Sequence, residues 1–343
     1  MLVKRYLVGN PLKTAQAVHE RLSKRLALAV FSSDALSSVA YATEEILLVL
    51  VPASLALAHF SIPISLMIVL LLSILTLSYS QIIFEYPQGG GAYTVSKSNL
   101  GEWPGLTAAA SLMIDYVLTV AVSVAAGIAA ITSAIPALFP HRTILGVLAI
   151  VIVLVVNLRG VRESGKVFAV PTYMFIGALL LLLVAGAYQF LVGRMSPVTP
   201  QSVIAQAGVE SVSLFLLLRA FSSGCTALTG VEVISNGVTA FRPPESKNAA
   251  LTMAGMAAIL GTLFLGISTM AYYLGVIPKE DETVVSQIAR ATFGEGFLYY
   301  LVQGSTMLIL ILAANSAFAG FPRLASLLAR DGFMPHQMAM MGD

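Results

Sequence analysis

Eight long apolar stretches constrain the fold of this 343-residue chain more than any other feature of its sequence. An α-helix needs about 20 apolar residues to cross the hydrocarbon core of a bilayer. The stretches are too long for strands and do not alternate, and a membrane interior accepts only helices and closed barrels. We therefore predict an all-α membrane protein with about eight transmembrane helices. The predicted spans run near residues 26–53, 62–84, 105–138, 143–157, 167–192, 212–233, 250–276 and 297–321.

The composition argues against a soluble domain. Hydrophobic residues make up 57% of the chain and charged residues 10%, whereas a soluble domain carries about 25% charged residues. The net charge of +2 indicates no nucleic-acid partner, and the single cysteine, Cys225, excludes a disulfide framework. The sequence contains no phosphate-binding loop, no histidine spacing typical of a metal site and no nucleophile–base pair. We predict neither an enzyme nor a resident cofactor.

The lysines and arginines predict the orientation of the spans. With the N-terminus in the cytoplasm, 14 of the 19 basic residues fall in cytoplasmic segments and 4 in outer loops. Basic residues concentrate on the cytoplasmic side of membrane proteins. We expect a multi-pass cell-membrane protein with a cytoplasmic segment 1–25, a transmembrane domain 26–322 and a cytoplasmic segment 323–343. Short helices are predicted at 14–25, near the inner surface, and at 284–292, in an outer loop.

Two of the spans carry polar clusters where apolar residues are expected. The first contains Phe31-Ser-Ser-Asp-Ala-Leu-Ser-Ser-Val-Ala-Tyr41, and the sixth contains Phe221-Ser-Ser-Gly-Cys-Thr-Ala-Leu-Thr-Gly-Val-Glu232. Matching weak points in two halves are typical of transporters that bind their substrate at the membrane midplane on broken helices. The alternative is that these small residues serve only helix packing.

Acidic side chains outnumber basic ones inside the spans. The acids are Asp34, Glu44, Glu45, Asp115 and Glu232, with Glu85 at an inner boundary. Arg219 is the single base within a span. Because a charge inside a bilayer is costly, each should have a partner or a role. The excess of acids favours a cationic ligand, a proton relay or both, although Glu44 and Glu45 have the alternative of reaching outer water and Glu85 of contacting an inner loop.

The third span adds oxygen ligands on one face. Asp115, Thr119 and Ser123 are spaced i, i+4 and i+8, which places them on one stripe of a helix, with Tyr116 beside it. A monovalent cation is bound by several such oxygens together with backbone carbonyls. We therefore predict a cation site, and assign Glu232, in its apolar surroundings, to reversible protonation. The pooled candidates are Asp34, Tyr41, Asp115, Thr119, Ser123, Thr229 and Glu232.

The loop after the second span carries a family resemblance. Tyr86-Pro-Gln-Gly-Gly-Gly-Ala-Tyr93, then Asn99-Leu-Gly and Trp103-Pro-Gly, resemble the signature of the amino acid–polyamine–organocation (APC) superfamily, as does Ala329-Arg-Asp-Gly-Phe-Met-Pro335 after the eighth span. Within that superfamily the chain resembles the KUP-type potassium importers of bacteria. The segments that carry this second resemblance are 32–41, 87–93, 115–123 and 220–232.

The resemblance implies a fold and a transport reaction. The fold would be the LeuT fold, with helices 1–5 and 6–10 as inverted repeats and helices 1 and 6 discontinuous. The reaction would be proton-coupled potassium uptake by alternating access, with Glu232 as the proton carrier. Amino acid permeases of the superfamily have a Gly-Ser-Gly-type break in helix 1, whereas this chain has Ser33-Asp34-Ala35, and a fixed carboxylate would repel an anionic group. The potassium path carried over by resemblance is Asp34, Tyr41, Asp115, Tyr116, Thr119, Ser123 and Thr229.

Other readings remain open at this point. A proton-coupled amino acid or polyamine permease would also fit, because a polyamine tolerates Asp34. The chain ends at Asp343, where the resemblance places a ninth helix. We expect the later helices and the cytoplasmic domain, which the family uses for dimerisation and for inhibition by cyclic di-AMP, to be missing from this sequence. The chain would then be a fragment that does not transport alone.

Overall fold

The computed structural model describes residues 21–87, 89, 91–158, 165–195, 197–199 and 212–339. Within these residues the chain is almost entirely helical, and the extended structure is an isolated bridge between Leu22 and Phe241. The α-helices are, in chain order, α1 (Lys24–Phe31), α2 (Ser33–Ser37), α3 (Ala42–Leu50), α4 (Ser61–Glu85), α5 (Gly91–Leu100), α6 (Glu102–Ala134), α7 (Arg142–Leu158), α8 (Gly165–Leu191), α9 (Leu214–Gly224), α10 (Val233–Asn236), α11 (Glu245–Leu274), α12 (Val284–Phe293) and α13 (Phe297–Arg330).

The eight predicted spans are confirmed. Seven helical stretches in the described part of the chain are long and apolar enough to cross a membrane. The remaining span, which is the first in the chain, is the pair Lys24–Phe31 and Ser33–Leu50, whose two parts are bent by 54°. The last span is longer than predicted, because α13 continues through Pro322 to Arg330. The third ends earlier than predicted, at Ala134, where Pro136 begins a 3-10 turn.

The outer surface of the bundle is apolar, as a bilayer requires. Helix α7 illustrates this, since it buries Val153 and exposes Ile144, Leu148 and Ile152. The core is formed by the other faces: α13 packs most extensively against α6, α11 packs against α4, and α9 packs against α3. Lipid-facing side chains can be as apolar as the core because no water is present to penalise them.

One end of the bundle gathers basic residues, and we refer to it as the basic end. There Arg21 pairs with Glu245, and Lys97 pairs with Asp331 at 2.7 Å. The amide of Leu22 donates to the carbonyl of Ala240 at 2.8 Å, which ties the start of α1 to the segment after α10. The predicted helix at 14–25 lies mostly outside the described residues, which begin at Arg21.

The short helix α12 lies at the other end of the bundle, which we refer to as the α12 end. The prediction of a helix over 284–292 is confirmed, since α12 runs from Val284 to Phe293. The hydroxyl of Thr283 caps it by accepting from the amide of Ser286 at 3.2 Å. One face of α12 is buried against α11 and α13. The helix therefore covers this end of the bundle.

Candidate cation-binding site

The first span breaks where its serines cluster. Helix α1 ends at Phe31, and after Ser32 the chain resumes as the short α2. The hydroxyl of Ser37 donates to the carbonyl of Asp34 at 2.7 Å, and that of Ser38 to the carbonyl of Ala35 at 2.6 Å. Serine hydroxyls that bond to nearby carbonyls compete with the helical ladder and bend the helix. The hydroxyl of Ser33 also donates across the break, to the carbonyl of Val30 at 3.2 Å, so the break coincides with the polar cluster in the sequence.

The sixth span breaks at its glycines. Helix α9 ends at Gly224, a 3-10 turn follows, and Thr229 is extended, with φ −60° and ψ 139°. Gly230 has φ +78°, a conformation that glycine adopts without strain. The span resumes as helix α10 at Val233. Both predicted discontinuities, in helices 1 and 6, are thus confirmed.

The two breaks lie against each other in the middle of the bundle. A Cβ atom placed on Gly230 would lie 2.7 Å from Cγ of Asp34 and 2.9 Å from the amide nitrogen of Ala35. The hydroxyl of Ser38 also donates to the carbonyl of Ala227 at 3.1 Å. Asp34 is 5% exposed, and its Oδ1 has no hydrogen-bonding partner. One carboxylate oxygen is therefore available to a ligand at the meeting point of the breaks.

The side chains of Asp34, Asp115 and Glu232 lie within electrostatic range of one another, and we refer to them as the acidic cluster. The negative charges of Glu232 and Asp115 act on the carboxylate of Asp34, and that of Asp115 acts on Glu232. Glu232 is 7% exposed, and its Oε1 has no partner. None of the three makes an ion pair within the described part of the chain. Buried carboxylates without a base need a cation or protons to offset their repulsion.

Helix α6 carries the predicted stripe, of which Asp115 and the adjacent Tyr116 lie within electrostatic range of Asp34. Tyr116, Thr119 and Ser123 are buried, and Asp115 is half-buried. The phenol of Tyr116 lies within electrostatic range of Asp34, Asp115 and Glu232. Further along the helix, the hydroxyl of Ser123 is fully buried and has no partner.

Two predicted residues come from the broken spans themselves. Tyr41 is buried directly before α3 and lies within electrostatic range of Asp34 and Asp115. Thr229 precedes Gly230 in the unwound segment and is half-buried. The structure thus gathers the carboxylates and the two tyrosines into one electrostatic cluster, with Thr229 next to it along the chain.

A cavity of about 360 Å³ joins this cluster to the basic end. Asp34 and Tyr116 line its inner part, and Arg323 and Thr94 belong to the helices that lead to the basic end. The full lining is Phe31, Asp34, Gly89, Gly91, Tyr93, Thr94, Leu112, Tyr116, Val233, Asn236, Gly237, Ser316, Gly320, Arg323, Leu324 and Leu327. The cavity gives a solute of the basic end a route to Asp34.

The glycine loop after the second span forms part of this cavity. Gly89 and Gly91 have positive φ, and a Cβ on either would lie within 2.7 Å of an oxygen of Asn236. Only glycine permits this approach to the end of α10, because a side chain at either position would collide with Asn236. Sequence reasoning did not single out Asn236 and Arg323, which line the cavity. It also did not single out Tyr79, which lies within electrostatic range of Glu232.

Hydrogen bonds join helices at the α12 end of the bundle. Glu44 accepts from the amide of Val284 at 3.1 Å, and Glu45 accepts from the hydroxyl of Ser223 at 3.2 Å. Both carboxylates are half-buried, so they tie helices together at this end rather than only reaching water. Glu85 and Arg219, the other charges considered at span interiors and boundaries, are exposed.

The atoms of the candidate site that could bind a cation are hydroxyl, carboxylate and carbonyl oxygens. Within the described residues, no three His, Cys, Asp or Glu side chains are grouped to hold a metal ion. Hydroxyls and single carboxylate oxygens beside unwound backbone instead suit a hard cation that is bound weakly enough to be released. The arrangement fits a cation that passes through the site better than one that resides there.

Comparison with known proteins gives the family. The chain is 51% identical over 341 residues to the potassium transporter KimA of Bacillus subtilis (strain 168), which covers 99% of the chain and 56% of that protein. It is 22% identical over 290 residues to the cationic amino acid transporter 9, chloroplastic, of Arabidopsis thaliana, which covers 76% of the chain and 47% of that protein. The chain thus spans about half the length of the curated relatives it matches. Residues 24–342 match the amino acid permease family, and the chain belongs to that family.

Proposed function

We propose that this chain forms the cation-binding part of a potassium transporter of the cell membrane, which takes up potassium together with protons by alternating access. The observation that carries the proposal is the free Oδ1 of buried Asp34 at the contact between the two broken spans. The 51% identity to a potassium transporter supports the choice of ion.

The electrostatics of the site support a cation over a zwitterionic amino acid. A substrate carboxylate bound at the contact between the two broken spans would meet the carboxylate of Asp34, on which the charge of Glu232 also acts, and like charges in a buried site repel strongly. A potassium ion needs only oxygens, and we assign those of Tyr41, Thr119 and Ser123 to it together with the carboxylates. The residues assigned to the potassium path are Asp34, Tyr41, Asp115, Tyr116, Thr119, Ser123 and Thr229.

Glu232 is assigned to proton coupling. Its Oε1 is buried without a partner, and its charge repels those of Asp34 and Asp115. Protonation of Glu232 relieves that repulsion and changes the charge of the cluster by one. Binding of a proton and binding of a potassium ion are therefore linked through the same cluster.

In an alternating-access cycle, the side to which the cavity leads defines the conformation of the transporter. Basic residues favour the cytoplasmic side, so we assign the basic end, with its cavity, to the cytoplasm. In this assignment the α12 end is the closed outer side, with Glu44 bonded to α12. The conformation is then inward-facing, with the site connected to the cytoplasm.

The second candidate is a permease for polyamines or cationic amino acids. It is favoured by the likeness to the cationic amino acid transporter and by a cavity of about 360 Å³, which has room for an organic cation beside Asp34. The two candidates differ in what the acids must neutralise, a bare ion or an extended ammonium compound.

Complementation of a transport-deficient bacterium distinguishes the two candidate functions. The full-length protein should restore growth of a potassium-uptake-deficient bacterium at micromolar potassium, and Asp34→Asn should abolish the rescue. Glu85→Gln serves as a matched control, because Glu85 is exposed. Failure to rescue, with uptake of a labelled amino acid or polyamine instead, would refute the potassium assignment.

Two further measurements test the remaining parts of the proposal. Glu232→Gln should make potassium uptake independent of external pH, and an unchanged pH dependence would remove Glu232 from the coupling. Expression of residues 1–343 alone, followed by the same uptake assay, tests whether this part of the protein transports by itself.

A further inference from the structure

Arg323 lies on the wall of the cavity that leads to Asp34. On α13, Gly320, Arg323, Leu324 and Leu327 all line this cavity. Their spacing of i, i+3, i+4 and i+7 is that of one helical face. Arg323 therefore belongs to the face of α13 that borders the route to the site.

The positive charge of Arg323 is not neutralised locally. Arg323 is exposed, and in the described part of the chain it makes no ion pair. Its charge acts on the phenol of Tyr116, which in turn lies within range of Asp34 and Glu232. Among the described residues that line the cavity, Asp34 supplies the single acid and Arg323 the single base.

A fixed positive charge on a cation route requires an explanation. If the cavity served only to collect cations, an acidic mouth would raise their local concentration and speed their capture. An arginine does the reverse, and arginines serve as electrostatic barriers to cations in other membrane pores. The residue is thus placed to act against cation binding from the basic end.

We propose that Arg323 lowers the affinity of the site for its transported cation from the basic end, so that the cation is released there and not recaptured. This inference rests on the proposed function. An importer accumulates its cation on the side where it must release it, so a binding site that opens to that side needs a weaker affinity there. Arg323 supplies the difference, because it borders the cavity that is open toward the basic end.

The expected size of the effect follows from the setting. Arg323 is exposed, so the interaction between its guanidinium and a cation near Asp34 is reduced by a high effective dielectric constant. We expect a change of about three- to tenfold in the half-saturating concentration when one unit of charge is removed. The change should shrink with added salt, since the Debye length falls to about 3 Å at 1 M.

A charge series at position 323 tests the proposal in the full-length protein. Everted membrane vesicles expose the cytoplasmic face, and right-side-out vesicles expose the opposite face. In both, the half-saturating concentration of rubidium is measured by exchange, with potassium as competitor. The variants are Arg323→Lys, Arg323→Gln and Arg323→Glu. The matched control is Arg330→Gln, because Arg330 is an exposed arginine of the same helix that does not line the cavity.

The expected pattern is specific to charge. Arg323→Lys leaves the half-saturating concentration at the cytoplasmic face unchanged, Arg323→Gln lowers it about three- to tenfold, and Arg323→Glu lowers it further. At the opposite face, all variants resemble the wild type, and 0.5 M choline chloride reduces the differences. Equal shifts at both faces, or values that do not follow the charge, would overturn the proposal. Absence of potassium-displaceable exchange in the wild type would instead overturn the proposed function.

Discussion

The backbone of Gly230 lies directly against the carboxylate of Asp34. A Cβ atom at position 230 would lie 2.7 Å from Cγ of Asp34, and Gly230 also has φ +78°. The left-handed conformation alone costs a non-glycine residue about 1–2 kcal/mol. We predict that Gly230→Ala forces Asp34 away, lowers thermal stability in detergent by several degrees, and reduces potassium uptake at least tenfold.

A second glycine supplies the control for this prediction. Gly255 lies inside α11, and a Cβ atom there would meet nothing within 4 Å. Gly255→Ala should keep or slightly raise the thermal stability, since alanine favours helix, and should leave uptake unchanged. If Gly230→Ala transports as well as Gly255→Ala, the contact between the two breaks has no role in binding.

Substitution of Ser123 should affect cation transport without affecting the stability of the protein. Its hydroxyl is fully buried and unpartnered, so Ser123→Ala removes no protein hydrogen bond and should leave thermal stability unchanged. If the hydroxyl binds the passing cation, its loss should raise the half-saturating potassium concentration about two- to tenfold, the equivalent of one neutral hydrogen bond. Uptake kinetics and thermal unfolding in detergent measure the two effects.

Ser61 is the matched residue for that test. Its hydroxyl is also fully buried without a partner, at the start of α4. Ser61→Ala should change neither thermal stability nor uptake, because Ser61 lies outside the candidate site. Equal uptake by Ser123→Ala and Ser61→Ala would exclude Ser123 from the cation path.

The hydroxyl of Tyr299 connects the elements that close the α12 end. It donates to the carbonyl of Ser133 at 3.0 Å, bonds with the hydroxyl of Ser286 at 2.8 Å, and accepts from Arg290 at 3.1 Å. Tyr299→Phe leaves these groups short of a partner, which costs about 1–3 kcal/mol. We predict that the α12 end then opens more often. The thiol of Cys225, next to the sixth-span break, should react at least about fivefold faster with a membrane-impermeant reagent added from that side.

The neighbouring tyrosine provides the control for closure. Tyr300 is 50% exposed, so Tyr300→Phe should leave the labelling rate of Cys225 at its wild-type value. Should Tyr299→Phe and Tyr300→Phe label at the same rate, the hydrogen bonds of Tyr299 do not hold this end closed.

The spans and their breaks could be predicted because their causes are local. Apolar length alone specifies a membrane helix, and the serines after Phe31 bond to carbonyls three residues away. The same holds for Gly230, whose conformation is a property of the residue itself. Each of these features can be read within a few residues of sequence, and each is present in the structure.

The partners within the site could not be predicted, because they depend on packing between distant segments. Glu44 bonds to Val284, 240 residues away, and no local pattern indicates such a pair. The sequence likewise did not indicate that α13 continues past the predicted end of the last span, at residue 321, or that Arg323 on it lines the cavity. The apolar stretch ends before this extension of the helix, so apolar length alone could not predict it.

Asp331 joins the end of α13 to α5 at the basic end. Its Oδ2 accepts from Nζ of Lys97 at 2.7 Å and from the hydroxyl of Tyr93 at 2.5 Å. These two hydrogen bonds hold the pKa of Asp331 below its usual range. Because the folded-state pKa is depressed, the stabilisation is complete above the pKa of an unfolded aspartate, about 3.9, and is lost as the pH falls through the folded value.

The lowered pKa of Asp331 predicts how the stability of the protein depends on pH. Asp331→Asn should lower the thermal stability by the same amount at pH 8, 7 and 5, and the difference from the wild type should vanish only below about pH 4. Tyr93→Phe should cost about 1 kcal/mol, the value of one hydrogen bond. The exposed Asp281 supplies the control, because Asp281→Asn should have no effect at any of these pH values. Thermal unfolding in detergent across this range checks the prediction, and a difference that disappears between pH 8 and 5 would show that another group titrates in place of Asp331.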